Sequence, residues 1–181
     1  ASYINVNSFV DKKVSNDGLC TLREAIIAAN QDKRSGNLAG ECAAGSGPDT
    51  IVLPAGTYLL SRTDNGNEDA AQTGDLDIVG NLVINGAGAG ITVVDGNGIT
   101  DRVIQALSGN ITINGVTFRR GNVPGDGGAL LNSANLTLTD VALLDSQAAG
   151  SGGGLVVARG SLTATAVTIA HNTARNGSGG G

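Results

Sequence analysis

The second half of the chain repeats itself, and no other feature restricts the fold as tightly. Four segments align on an Asn or Ser followed by alternating apolar residues: 81–86, 110–115, 135–140 and 161–166. Their anchors lie 29, 25 and 26 residues apart. Ile111 and Ile113 correspond to Leu136 and Leu138, then to Leu162 and Ala164. After a slip of one residue the alternation resumes at Val116 and Phe118, Val141 and Leu143, Val167 and Ile169. A period of two that slips once and resumes reads as two short strands joined by a bend. A Gly-rich turn and a third strand follow, with 127–131 matching 152–157. One such unit cannot bury its apolar face alone, whereas stacked units place Ile on Leu on Ala.

The pattern predicts an all-β fold, a right-handed parallel β-helix with coils of about 25 residues stacked at the strand spacing of roughly 4.8 Å. Two Tyr, two Phe and no Trp among 181 residues suit a narrow interior that aliphatic side chains fill, and 29 Gly suit its corners. A β-sandwich with a turn every 8 to 12 residues is the structural alternative, although it leaves the longer repeat unexplained.

The first half reads as a cap. Thr21 and Glu24 form a capping box, and Leu22, Ala25, Ile26 and Ala29 make one apolar stripe, so a helix is expected over about 21–30. A solenoid needs its ends shielded, and an amphipathic helix before the first coils does that. Residues 3–6, 50–53 and 57–60 read as early strands. The chain therefore divides into a cap with first coils, 1–77, and regular coils, 78–181, within one continuous domain.

Cys20-Thr-Leu-Arg-Glu-Ala-Ile26, Ala28-Ala-Asn30 and Asp49-Thr-Ile-Val-Leu-Pro-Ala-Gly-Thr-Tyr58 together resemble the CSLREA-type N-terminal module of exported bacterial proteins. The stretch 68–78 resembles a second signature of that family, with Thr21 in place of its Ser. Phe118-Arg-Arg-Gly-Asn122 and the Gly-Gly-Ala-Leu at 127–130 are similar to the repeats of polymorphic outer-membrane β-helix proteins. The resemblance implies a right-handed β-helix, secreted or displayed at a bacterial surface, with no defined catalytic residue.

Charge narrows the partners. The net charge is −5, all of it within residues 1–77, which hold eleven acids and six bases. Without a basic stripe, nucleic acid is not an expected partner. No run of about 18 apolar residues is present to span a membrane. Cys20 and Cys42 lack zinc spacing; in an exported protein they would form one bridge, and in a cytosolic one they would be two free thiols. The start at Ala1 reads as a processed N-terminus. Gly177–Gly181 repeats the pentamer Gly150–Gly154 where a third strand is due, so the last coil reads as unfinished. A fragment of a longer solenoid, head-to-tail pairing with another copy, and a frayed end are all consistent with that.

Asp64, Asn65, Asn67, Glu68, Asp69, Asp75 and Asp77 are the densest oxygen-rich cluster and the candidate site for Ca²⁺, which takes six to eight such ligands. Asp11, Asn16 and Asp17 are a weaker candidate. A polysaccharide lyase or hydrolase would draw on Asp95, Asp101, Arg102, Arg119, Arg120, Asp126, Asp140 and Asp145. Adjacent pairs in a strand point to opposite faces, so only one member of Asp101-Arg102 or of Arg119-Arg120 could line a groove, and a solvated outer face is the plainer reading. His171, the single histidine, reads as a solvent-facing corner. The expected function is structural or adhesive: a secreted or surface-displayed rod, matrix component or self-assembling fibre subunit that binds itself or surface glycans and proteins. A glycan-active enzyme is the alternative. A surface binder using aligned Thr112, Thr137 and Thr163 is a third class.

Overall fold

A computed structural model describes residues 1–63 and 68–181. Strands form where β-branched and aliphatic residues alternate with Thr and Asn. The chain opens with β1 (Tyr3–Asn5) and the helix α1 (Leu22–Gln31). The coils then supply β2 (Asp49–Val52), β3 (Gly56–Leu59) and β4 (Leu76–Val79); β5 (Leu82–Asn85), β6 (Thr92–Asp95) and β7 (Ile104–Ser108); β8 (Asn110–Arg119), β9 (Asn122–Val123) and β10 (Leu130–Asn132); β11 (Asn135–Leu144), β12 (Gln147–Ala148) and β13 (Leu155–Val157); and finally β14 (Ser161–Ala170) and β15 (Thr173–Ala174).

Equivalent strands of successive coils pair in parallel. One sheet runs β1-β2-β5-β8-β11-β14, with β3 and β6 joined to it through β8; a second runs β13-β10-β7-β4 and a third β15-β12-β9. The result is a parallel β-solenoid of about four turns. No antiparallel ladder occurs among the described residues, so the sandwich is set aside.

The registers turn the sequence repeat into ladders. Ile4, Ile51, Ile84, Ile113, Leu138 and Ala164 lie one above another, as do Tyr58, Val94, Phe118, Leu143 and Ile169. Leu76, Ile104, Leu130 and Leu155 face them from the second sheet. Each rung up to β11 is buried, and the corresponding side chains of β14 are partly or wholly exposed because no rung lies over them.

The expected bend does not break the strand. β8, β11 and β14 each run ten residues through a single left-handed residue: Gly115 (φ 64°), Asp140 (φ 52°) and Ala166 (φ 52°). One such residue rotates the chain and flips the alternation, while pairing resumes in register beyond it. A second stack of left-handed corners follows at Arg120, Asp145 and His171. At the Gly turn the backbones nearly touch: a Cβ on Gly128 would lie 2.1 Å from the carbonyl oxygen of Gly153.

The N-terminal cap forms as its sequence requires. Thr21 accepts from the N–H of Glu24 at 3.2 Å, and Glu24 accepts from the N–H of Thr21 at 3.1 Å. α1 covers an otherwise open edge. Its Asn30 amide donates to the carbonyl of Asp77 (2.8 Å) and accepts from the N–H of Val79 (3.0 Å), filling the free edge of β4. Arg23, seven residues earlier and so on the same helical face, donates to the carbonyls of Ala71, Gly74 and Asp75. Cys20 and Cys42 form a disulfide that pins the loop after α1 beneath the cap.

Candidate functional site

Three carboxylates of the acidic stretch, Glu68, Asp75 and Asp77, are engaged inside the fold. Glu68 accepts from the N–H groups of Ala70 and Thr73, and Asp77 accepts from that of Ala71. Asp75 takes a hydrogen bond from the Arg102 guanidinium at 3.0 Å, while Asp101 accepts from the N–H groups of Asp75 and Arg102. Asp75 and Asp77 are both buried, and the second carboxylate oxygen of Asp77 has no partner. Burial, with Asp75 close by, pushes the Asp77 carboxyl up to about 8. Burial also raises Asp75, against the pull of Arg102. Arg102 is the direct partner of Asp75, whereas Asp77 has no cationic partner among the described residues to offset its burial. Asp64, Asn65 and Asn67 lie outside the described residues. Among those described, no three His, Cys, Asp or Glu side chains are gathered to hold a metal ion.

The weaker cation candidate is dispersed. Asp11 pairs with Arg23 (2.6 Å), Asn16 accepts from the N–H of Asn37, and Asp17 accepts from that of Leu19.

The charges assigned to an outer face are only partly there. Asp95, Asp101 and Arg102 are buried, which corrects the solvated reading for those three. Arg119 and Arg120 do not oppose each other: both reach Asp95, because the left-handed corner at Arg120 swings its side chain back. Burial works against ionising Asp95, but hydrogen bonds from Arg120, the Asn97 N–H and Arg119 outweigh it and hold the carboxyl below its ordinary value. Asp126 accepts from the N–H of Ser151, Asp140 from that of Ala89, and Asp145 lies 3.6 Å from His171 at the exposed corner.

A concavity lies at the capped end, against the helix that carries the capping box. A cleft of about 800 Å³ lies between α1 and its flanking loops. Ile27, Ala28 and Gln31 of α1 form its floor; 33–37 make one wall and Lys13 with Ser15 the other. The walls are braced. The N–H of Val14 donates to Glu24 at 2.7 Å, that of Gly18 donates to Glu41 at 2.8 Å, and that of Asn37 donates to the Asn16 side chain at 2.8 Å. Ser35 donates to Glu41 at 2.7 Å and holds that carboxyl below its usual range.

The outer face of the large sheet is of a different kind. Asn81, Asn110, Asn135 and Ser161 hydrogen-bond from coil to coil at 2.8–3.2 Å, and Asn114 donates to Asn85 at 2.8 Å. Thr112, Thr137 and Thr163 stack in register between these two rows. Compared with known protein families, curated proteins and solved structures, the chain matches none.

Proposed function

We propose that this chain is a structural or adhesive β-solenoid of an exported or surface-displayed bacterial protein. The observation that carries the reading is the uncharged Asn/Thr/Ser face along the first halves of β8, β11 and β14, linked coil to coil by hydrogen bonds to side chains over a stacked, mainly aliphatic core. Such a stack is stiff along its axis and presents a flat, hydrogen-bonding surface. The disulfide favours an oxidising compartment, and no described helix is long and apolar enough to cross a membrane. Asp95, Asp101, Asp126 and Asp140 are engaged by backbone N–H groups or arginines and Asp145 sits beside His171 on an exposed corner, which favours the non-catalytic reading. At the capped end Arg23 and Asn30 engage the backbone of Asp75, Asp77 and Val79 at the edge of β4, which favours a rod closed along that sheet.

Binding to purified bacterial cell-wall and extracellular polysaccharides, measured by pull-down with light scattering in parallel, tests the reading. Retention on such a surface by a monodisperse monomer supports it. Turnover of an acidic polysaccharide, or fibres that grow with concentration, overturns it.

A further inference from the structure

The cleft against α1 differs in charge from the rest of the molecule. Lys13, Lys33 and Arg34 line it together with Glu24 and Asp32, so it is net positive in a chain of charge −5. Its two carboxylates are already engaged: Glu24 by the N–H groups of Val14 and Thr21, Asp32 by that of Gly47. Lys13 donates to Gln72. Lys33 and Arg34 are exposed and form no ion pair with any described residue.

We propose that this cleft binds a short acidic oligosaccharide, one whose sugar rings carry carboxylate groups. Three features match that chemistry. The volume lies within the range of ligand sites and accommodates a few sugar rings. Half-buried Ile27 gives the floor an aliphatic patch that suits the C–H face of a pyranose ring, and the exposed Gln31 and Asn37 amides suit its hydroxyls. Lys33 and Arg34 stand on the rim, where a carboxylate is met without burying a charge. The wall that carries them is held in advance by the Cys20–Cys42 bridge, the Ser35–Glu41 bond and the Asn37–Asn16 bond, which lowers the ordering cost of binding. Gly36 fits only because it has no side chain: a Cβ there would lie 2.5 Å from the Glu41 carboxylate and 2.6 Å from the Asn16 nitrogen. The inference deepens the adhesive reading and rests on it.

Isothermal titration of the full chain with tetragalacturonate, maltotetraose and inorganic phosphate tests the site. The expected result is saturable binding of the acidic tetramer, at least tenfold weaker binding of the neutral one, and weakening as salt rises from 50 to 500 mM. The double substitution Lys33→Gln/Arg34→Gln is expected to lower affinity at least tenfold with the melting temperature unchanged, since both side chains are exposed. Arg159→Gln, on a distant coil, is expected to change nothing. Equal binding of the neutral tetramer, full competition by equimolar phosphate, or unaltered affinity in the double variant overturns the proposal. A chain that still adheres to polysaccharide surfaces but ignores the tetramer overturns the cleft alone; one that does neither overturns the adhesive reading with it.

Discussion

Arg23 is completely buried and has a partner for every one of its five N–H donors: Asp11 twice, and the carbonyls of Ala71, Gly74 and Asp75. Lysine has three donors on one nitrogen and cannot reproduce this fork. Arg23→Ala leaves the buried Asp11 carboxylate without its counter-charge, held only by the N–H groups of Ser61 and Arg62, and strips the carbonyls of Ala71, Gly74 and Asp75 of their donor; equilibrium denaturation is expected to show a loss of about 3–5 kcal/mol. Asp77 behaves in the opposite sense. Its folded value near 8 lies above the ordinary carboxylate range, so between about pH 4 and pH 8 the folded chain binds a proton that the unfolded chain releases. Its contribution is complete at the acid end and falls as pH rises through that window. Asp77→Asn supplies the neutral form permanently. Thermal melts of this variant from pH 5 to pH 8 are expected to show a flatter decline than the parent and a higher midpoint at pH 8.

Within single elements, α1 is set by local chemistry and placed by its neighbours. Thr21→Ala removes the capping box and is expected to cost about 1 kcal/mol in urea titration. The ladders depend on context instead. Leu138 is fully buried between Ile113 and Ala164. Leu138→Ala would leave a void that the paired backbones on either side cannot close, and a loss of about 2–5 kcal/mol is expected by the same measurement. Ala164, one rung further, is exposed, and enlarging it to Leu is expected to change stability by less than about 0.5 kcal/mol.

Across the whole molecule, stability is graded along the axis. α1 and the disulfide close one end, the middle coils are buried on both sides, and β14 carries exposed Ile169 and Ala164. Native-state hydrogen exchange is expected to find the slowest amides in β8 and β11 and the fastest in β14 and β15. Reducing Cys20–Cys42 opens a loop of 22 residues and is expected to remove about 3 kcal/mol, with the cap loosening before the coils.

The repeat, the aliphatic ladders, the Gly turns, the capping box and the helix were all legible in the chain, because each depends on residues near one another or on a period that recurs. Long-range pairing was not. Nothing local in Arg23 or Asn30 announces the edge of β4 some fifty residues away, and nothing in Arg119-Arg120 announces that a left-handed corner turns both toward Asp95. Composition records which oxygens the acidic stretch carries, whereas only the folded chain shows that N–H groups engage Glu68 and Asp77 and that Arg102 engages Asp75. The cleft against α1 was not legible as a site because its walls come from three segments that are held together by the disulfide and the loop hydrogen bonds. Periodicity determines what stacks, since each coil must bury its apolar face on the next; the meeting of distant polar groups belongs to the tertiary structure, since it depends on where the coils bring them.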